Sequence, residues 1–348
     1  MQTLQLTKDM NYNDLKVLEQ YKDLRNIIIK NQKITVFDGL ESQSQTLFHL
    51  WLDSCYFLKS FQSMSKFYFP HLETIRLDKC KNFSDLSGLQ SIQLSIVNII
   101  MDNTLISSLK PISSLHFVKL QEIQLYNCQL LKSLDGLESC KFSLKSLILN
   151  NCAIETLDVF SKSQFCLTDL RIIKSNLSSL DGVQHLFQLN ILEIRESKIC
   201  QLQQLQYMIH LKQLYLDQNS ICCSDEFYYL QNLVTLKQLT LNRNPFYRDD
   251  QFYEKLISAV NERIEEISID EQIDPKKLRK QRKFNHNFVR FTLLDKKKDV
   301  QKTQHDLIST LDYRQLRLES KYNKLLKTAK QVTKCVNLIN SIVIKSQE

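Results

Sequence analysis

Apolar residues recur through most of the chain in one short pattern, separated by gaps of three and two residues. In "LQEIQLYNCQLL", which begins at Leu120, apolar residues stand at the first position i, at i+3 and at i+5, and a cysteine stands at i+8. The pattern occurs ten times at a nearly even spacing. The starts are Leu24, Leu47, Leu72, Ile96, Leu120, Leu144, Leu167, Leu189, Leu211 and Leu236.

The alternation inside each copy predicts a short strand. Side chains at i+3 and i+5 of a strand point to one face, and those at i+2, i+4 and i+6 point to the other. One copy is too small to bury its apolar face alone, whereas stacked copies share a continuous core. The pattern therefore predicts an elongated α/β solenoid whose stacked coils form one parallel sheet.

This spacing resembles the leucine-rich repeat, L-x-x-L-x-L-x-x-N/C-x-L. The resemblance implies a right-handed solenoid of about ten repeats with the parallel sheet on its concave side. It also implies that the i+8 side chain points inward and bonds loop backbone groups that burial would leave unpaired. Cysteine takes this place at Cys55, Cys80, Cys128 and Cys152. We interpret these cysteines as structural, because the chain has no C-x-x-C spacing of the kind that zinc sites use.

All four glycines of the chain fall at one place in the repeat, at i+15 or i+16. They are Gly39, Gly88, Gly136 and Gly182. Glycine tolerates a positive φ and a close approach of neighbouring backbone. We therefore predict a tight turn at each one, on the side away from the sheet, and no phosphate-binding loop.

The segments at both ends of the array are predicted to cap it. Residues 1–23 form the N-terminal cap, with a short helix in residues 1–20 that covers the first strand. Residues 24–243 hold the repeats, and residues 244–272 form the C-terminal cap, where Asp249 or Asp250 begins a helix. The helix buries Phe252, Leu256, Ile257 and Val260, and a last half-repeat contains Ile264, Ile267 and Ile269.

The phrase "NPFYR" before that helix resembles the C-terminal cap of intracellular leucine-rich repeat proteins. Such caps occur in the regulatory subunit of type 1 protein phosphatase, the spliceosomal A-prime protein and axonemal dynein light chains. The phrase "LDGLE" resembles the phosphatase-regulator subclass. The resemblance covers roughly residues 20–272 and implies an intracellular protein-binding role. The chain departs from the phosphatase regulator in its irregular period and in its long tail.

Charge separates that tail from the rest of the chain. Residues 274–348 carry 19 Lys and Arg against 7 Asp and Glu, whereas residues 1–273 carry 27 against 31. Residues 273–299 form a basic linker, with six basic residues within 276–283. We interpret this segment as a nuclear-import signal, an RNA or microtubule contact, or a solvated linker. Nucleic acid is the less favoured partner because the chain has no known nucleic-acid-binding module.

Residues 300–348 are predicted to form a coiled-coil helix. Between Ile308 and Val343, mostly apolar residues follow alternating steps of three and four over five heptads, without Pro or Gly. At 1.5 Å per residue, this helix would be about 55 Å long. We predict that residues 308–343 pair with a second copy or a foreign helix; packing back onto the repeats is the alternative.

The exposed strand positions of the repeats are the predicted binding surface. Positions i+4 and i+6 form two columns on the concave face, where the core does not dictate residue type. Trp51, the only tryptophan, lies in the i+4 column, and three aspartates stack in the i+6 column as an acidic stripe that suits a basic partner. The predicted partner-binding residues are Ile28, Trp51, Asp53, Arg76, Asp78, Ile100, Asp102, Tyr126, Ile148, Arg171, Tyr215 and Asp217.

No H-E-x-x-H, G-x-S-x-G or other catalytic motif is present, so we expect no enzyme activity, no cofactor and no metal. The chain lacks an 18-residue apolar run and a secretory leader. We therefore expect a cytoplasmic protein without a membrane partner, in a cytoskeletal, ciliary or nuclear setting. The favoured function is a protein-binding scaffold that uses the concave face and the coiled-coil tail, in a cytoskeletal or ciliary setting. The alternatives are a regulatory subunit of type 1 protein phosphatase and an RNA-associated nuclear factor.

Overall fold

The computed structural model describes residues 2–7, 12–248, 251–260, 264–269 and 271–273. Residues 274–348, which hold nearly all of the predicted basic linker and the whole predicted coiled coil, lie outside the described residues. Asp249 and Asp250, the predicted start of the cap helix, also lie outside them. Those features stay predictions.

Thirteen strands form one sheet, and their spatial order is their order in the chain. The first twelve are parallel, each to the next, and the thirteenth runs antiparallel to the twelfth. This topology confirms the predicted solenoid with a parallel sheet. The strands are β1 (Thr3–Leu6), β2 (Asn26–Lys30), β3 (His49–Asp53), β4 (Thr74–Asp78), β5 (Asn98–Asp102), β6 (Glu122–Tyr126), β7 (Ser146–Asn150), β8 (Asp169–Ile173), β9 (Ile191–Arg195), β10 (Gln213–Tyr215), β11 (Gln238–Thr240), β12 (Glu266–Ile269) and β13 (Glu271–Ile273).

In most coils, two side chains of the strand face the interior and stay in register with those of the next strand. Leu50 pairs with Ile75 and Leu52 pairs with Leu77 across β3 and β4, and all four are buried. Full burial of a Leu or Ile side chain contributes about 1.5–3 kcal/mol. Each coil is therefore stabilised mainly by contact with its two neighbours, as the repeat pattern predicts.

The chain returns from one strand to the next through short 3₁₀ helices. Among the described residues, α-helix occurs only at α1 (Val159–Lys162) and α2 (Phe252–Ala259). A 3₁₀ helix is narrower than an α-helix and suits such a short return. The 3₁₀ helices are Lys16–Gln20, Leu40–Gln43, Gln62–Lys66, Leu89–Ser91, Lys110–Ile112, Leu137–Cys140, Val183–His185, Gln203–Tyr207, Ser224–Leu230 and Pro245–Arg248.

Gly136 shows why the glycines stand where they do. Its φ is 114°, and a Cβ placed on it would lie 2.1 Å from the carbonyl oxygen of Leu109 in the preceding coil. The Gly136 N–H donates to Glu138 Oε2 over 2.7 Å, and the Gly136 carbonyl accepts from Ser139 Oγ over 2.9 Å. Side chains of the sequence "DGLES" therefore hydrogen-bond to the backbone of the turn that this sequence forms. Positive φ and close backbone approach occur together, as predicted.

A second left-handed position, which we did not predict, follows each strand of the repeats. The residue at i+7 has a φ between 50° and 57° in all ten copies. Asparagine, which tolerates this conformation, takes four of these places: Asn31, Asn103, Asn127 and Asn151. At places such as Lys174, the left-handed backbone costs about 1–2 kcal/mol.

We expect Lys174→Asn to raise the free energy of unfolding by about 0.5 kcal/mol, because asparagine is strained less at this φ. Lys174 is exposed, so the change removes no core packing. The reverse change at an exposed position, Asn31→Lys, should lower it by a similar amount. Urea unfolding of the two variants measures both values, and a loss of stability in Lys174→Asn would contradict the prediction.

The i+8 side chains form a buried ladder, as the repeat motif implies. Asn219 Nδ2 donates to the carbonyls of Ile194 and Leu216 over 2.7 and 3.0 Å, and Asn219 Oδ1 accepts from the Ile199 N–H over 3.2 Å. The Cys152 thiol contacts two carbonyls at longer distances, 3.4 Å to Leu125 and 3.7 Å to Asn150. Cysteine thus fills the same place with fewer and weaker bonds.

Burial should also divide the thiols by reactivity. Cys55, Cys80, Cys128, Cys140 and Cys152 are buried, whereas Cys200, Cys222 and Cys223 are exposed. Burial raises the pKa of the Cys140 thiol to about 12, so little reactive thiolate is present near neutral pH. We expect iodoacetamide at pH 8 to label the three exposed cysteines within minutes and the five buried ones only after unfolding. Peptide mapping by mass spectrometry tests this, and rapid labelling of Cys140 in the folded protein would contradict it.

The ends of the array differ in part from the prediction. Of the short helix predicted in residues 1–20, only the 3₁₀ helix Lys16–Gln20 forms, and Thr3–Leu6 is strand β1 instead. Residues 3–6 therefore add one more parallel strand to the sheet, beside β2, instead of covering the first strand as a helix. At the other end, α2 buries Leu256 and Ile257, and β12 buries Ile267 and Ile269 beside β11, as predicted. Strand β13 was not predicted. In the described part of the chain, every helix is too short or too polar to cross a bilayer.

Candidate functional site

The two predicted columns exist residue for residue. Along i+4, Ile28 pairs with Trp51, Trp51 with Arg76 and Arg76 with Ile100, and the column continues to Tyr215 and Thr240. Along i+6, Asp53 pairs with Asp78 and Asp78 with Asp102. Eleven of the twelve predicted residues lie on the sheet face opposite the core, and Asp217 lies two residues beyond the end of β10. Their chemistry differs between the N-terminal and C-terminal halves of that face.

Trp51 is half-buried and already engaged on the sheet. Its Nε1–H donates to Asp78 Oδ2 over 2.8 Å. The Lys30 ammonium and the Arg76 guanidinium lie 4.8 and 4.9 Å from the centre of its ring, within cation–π range. Trp51 thus positions two cations and one carboxylate as well as presenting part of its own ring to solvent.

Beside Trp51, the sheet has a depression of about 560 Å³. Ile100 lies among polar groups in its lining, and the hydroxyl of Tyr126 donates to Gln124 Oε1 over 2.8 Å. Burial, with a smaller effect from Glu122, raises the pKa of Tyr126, so this hydroxyl stays protonated. The lining residues are Asp53, Arg76, Asp78, Lys79, Ile100, Asp102, Gln124, Tyr126 and Asn127. Six of them are among the twelve predicted residues.

The three stacked aspartates are not equivalent. Asp78 is only 8% exposed, and its Oδ2 accepts from Arg76 Nε over 2.7 Å as well as from Trp51. Among the described residues, the Asp53 carboxylate accepts only from the neighbouring Ser54 hydroxyl, over 2.9 Å, and that of Asp102 accepts from two asparagine amides. Within the described residues, neither Asp53 nor Asp102 has a cationic partner. The predicted acidic stripe therefore reduces to two uncompensated carboxylates on either side of a neutralised one.

The C-terminal half of the face is occupied by its own ion pairs. Arg171 binds Asp169 with two parallel bonds of 2.9 Å and lies 3.7 Å from Glu193. Arg195 Nε lies 3.1 Å from Glu193 and 3.0 Å from Asp217. Three carboxylates and two guanidinium groups, on β8, β9 and the loop after β10, thus pair with one another, although Arg195 Nε has no hydrogen-bond partner among the described residues. Asp169 raises the pKa of Arg171, as expected for a charge-assisted pair.

This network continues to the last strands. Asp217 accepts from the Thr240 hydroxyl over 2.7 Å and from the Asn242 N–H over 2.8 Å. The Tyr215 ring lies under the Arg195 guanidinium at 4.9 Å, and its hydroxyl donates to Gln238 over 2.7 Å. The predicted residues Arg171, Tyr215 and Asp217 are therefore placed together, but with their bonding groups in use.

Three lining residues of the depression are not among the twelve predicted residues: Gln124, which stands in the predicted i+4 column, and Lys79 and Asn127, which do not stand in either column. Lys79 and Asn127 stand at i+7 with left-handed backbone, which turns their side chains toward the concave rim. Asn127 Nδ2 donates to Asp102 over 2.7 Å, and Asn151 Nδ2 donates to Asn127 over 2.7 Å. The recurrence of asparagine at i+7 was the available signal. Within the described ranges, no three His, Cys, Asp or Glu side chains converge as metal ligands do.

Comparisons with known proteins address the fold. No protein-family model matches the chain, and no curated protein matches it. An internalin, InlF of Listeria monocytogenes strain 4b F2365, superposes with a TM-score of 0.59 at 18% identity, over 74% of this chain and 71% of the internalin. TLR13, solved in complex with ssRNA13, gives a TM-score of 0.59 at 19% identity over 77% of this chain. The match covers only 40% of TLR13.

Both neighbours are leucine-rich repeat proteins, and at this identity their likeness concerns the fold alone. It agrees with the stacked parallel strands, the inward ladder at i+8 and the nearly constant period of the repeats. The described part of this chain is therefore a leucine-rich repeat solenoid.

Proposed function

We propose that the protein is a non-enzymatic scaffold that binds another protein on the N-terminal half of its concave face. The observation that carries the proposal is the contrast between the two halves. The depression beside Trp51 leaves Asp53 and Asp102 without cationic partners among the described residues, whereas the charges around Arg171 and Arg195 neutralise one another.

This contrast decides where binding costs least. A partner at the C-terminal half would have to break partly buried ion pairs, and removing one member of such a pair is strongly destabilising. A partner at the depression meets carboxylates that lack a counter-charge. Strands lie about 4.8 Å apart, so Asp53 and Asp102, two strands from each other, are separated by about 10 Å.

The chemistry of the depression selects the kind of partner. The two half-buried carboxylate groups of Asp53 and Asp102 suit Lys or Arg side chains, and Ile100, on the same strand as Asp102, suits an apolar group. Trp51 adds an aromatic surface of the type that is enriched at binding hot spots. We therefore infer a protein partner that presents basic side chains about 10 Å apart and an apolar group beside one of them.

Charge reversal tests the proposal in the full-length chain. The double variant Asp53→Lys, Asp102→Lys should lose the proteins that the wild type captures from cell extract, as measured by quantitative mass spectrometry. For a captured protein re-measured in purified form, we expect at least a roughly 30-fold loss of affinity, since two charge-assisted contacts become repulsive.

The matched control is Glu19→Lys, Glu73→Lys, which makes the same change in charge at exposed positions off the depression. It should retain the captured proteins, and thermal unfolding should be similar for all three chains. Equal capture by wild type and the concave variant would contradict the proposal.

We also propose a more specific role and a cellular location for the scaffold. The scaffold would act as an adaptor if residues 308–343 bind a second helix, and its setting would be cytoskeletal or ciliary. Deleting residues 300–348 should then abolish assembly while capture at the concave face persists. Capture of a type 1 phosphatase that the concave variant loses would favour the regulatory alternative, and salt-sensitive RNA binding that needs residues 276–283 would favour the nuclear one.

A further inference from the structure

A row of apolar side chains protrudes along the edge of the solenoid where the chain enters the strands. Each stands at i−2, just before the start of a repeat, and each is between 48% and 74% exposed. We call this row the apolar edge; its members are Leu94, Val118, Phe142, Phe187, Ile209 and Val234. Phe165 holds the same repeat position but is buried, so the row consists of two groups of three. The concave-face site does not include any of these residues.

The backbone beside the apolar edge is fixed from coil to coil. In each coil the carbonyl at i+1 accepts two N–H groups from the next coil: Gln121 accepts from Lys145 and Ser146 over 2.8 and 3.0 Å. The same pair of bonds joins Asn190 to Lys212 and Gln213, over 2.8 and 3.0 Å. The protruding side chains therefore keep the spacing of the strands, about 4.8 Å per coil, and the whole row extends about 29 Å.

The chain segments that form the apolar edge carry charge of one sign. The segments that contain the row and Phe165, each running from i−5 to i+1, hold six lysines and no Asp or Glu. Lys162 and Lys237 pair with carboxylates elsewhere, whereas Lys119, Lys145 and Lys212 have no ion pair within the described residues. The segments are 91–97, 115–121, 139–145, 162–168, 184–190, 206–212 and 231–237.

We propose that the apolar edge docks an amphipathic helix that carries acidic residues beside its apolar stripe. One helical turn advances about 5.4 Å, close to the spacing of about 4.8 Å between coils, so apolar residues three or four apart fall beside successive coils. A helix of about 20 residues matches the row of about 29 Å in length. The flanking lysines supply the complementary charge.

The occupant is a different protein. The chain's own residues 274–348 carry 19 Lys and Arg against 7 Asp and Glu, and such a sequence has the wrong charge for a lysine-flanked row. The concave depression differs in both respects, since its lining holds three carboxylates beside Arg76 and Lys79, and a single aliphatic side chain. Two partners of opposite charge could thus be held at once.

The test uses the full-length protein and a fluorescent peptide of about 21 residues, long enough to span the row, with a leucine stripe flanked by glutamates. Its control is a shuffled peptide of the same composition without a leucine stripe. The basic residues of segment 274–348 should attract both peptides equally, because the two carry the same charge. By fluorescence anisotropy we expect the striped peptide to bind at least about tenfold more tightly, because only it can cover the row. The variant Phe142→Ser, Phe187→Ser should lose that difference.

Two controls keep the test decisive. Phe57→Ser, Leu130→Ser removes exposed apolar side chains away from the row and should bind the striped peptide as the wild type does. Asp53→Lys, Asp102→Lys should bind it too, which separates this inference from the concave-face proposal. Equal affinity for the two peptides, or no effect of the Phe142 and Phe187 changes, overturns the inference. A third result would also overturn it. If the protein sediments with phosphatidylserine vesicles, this sedimentation needs Phe142 and Phe187, and the striped peptide does not bind, then the apolar edge binds a membrane and not a helix.

Discussion

Replacing Gly136 with alanine is expected to lower the free energy of unfolding by about 4 kcal/mol. The added Cβ would lie 2.1 Å from the carbonyl oxygen and 2.5 Å from the carbonyl carbon of Leu109, both of them backbone atoms. At a φ of 114° an L residue is strained even without that clash. Relief would require separating two coils, which exposes the shared core on both sides of the break.

Urea unfolding followed by circular dichroism measures this effect. Gln129→Ala is the matched control, because it introduces alanine at an exposed position of the same coil. We expect that change to stay within about 0.5 kcal/mol of the wild type. A loss of less than about 1 kcal/mol in Gly136→Ala would show that the coils are not packed as described.

The largest effect of a single concave substitution on binding is expected for Trp51→Ala. This change removes the ring beneath Lys30 and Arg76 and the N–H that bonds the nearly buried Asp78. The partner loses the aromatic contact surface of the ring, so we expect roughly 100-fold weaker binding of a captured protein. Trp51→Phe keeps a ring but loses the N–H, and about a tenfold loss is expected.

Tyr215 offers the comparison at the C-terminal half. Its ring also lies under an arginine, but in the self-neutralised network. Tyr215→Ala should therefore weaken binding less than about threefold, as measured by titration calorimetry with the same captured protein. A larger effect at Tyr215 than at Trp51 would move the binding surface to the other half of the sheet.

The sequence was sufficient to predict the coils, the buried face and the two exposed columns. Aliphatic residues at i+3 and i+5, repeated with a nearly constant period, can be buried together only by stacking, and the strand alternation then fixes which residues face outward. The columns around Trp51 and Asp78 followed from counting alone. The rarity of glycine likewise identified the turn at Gly136.

The remaining features depend on contacts between coils. The position of Arg195 between Glu193 and Asp217 depends on the order of the strands in the sheet and on how far the arginine side chain extends. Phe142 and Phe165 hold the same repeat position, yet one is exposed and the other buried, so the apolar edge could not be read from residue type. Strand β1 was missed because so short an alternation cannot tell strand from helix.

The most direct measurement of the central claim is site-specific photo-crosslinking from the concave face. A benzophenone amino acid would replace Ile100 in the depression of the full-length protein, and Thr156, an exposed loop residue, in a second chain. We predict that the probe at position 100 forms a covalent adduct with a captured protein and that the probe at position 156 does not. Adducts at position 156 with none at position 100 would contradict the claim that this face holds the partner.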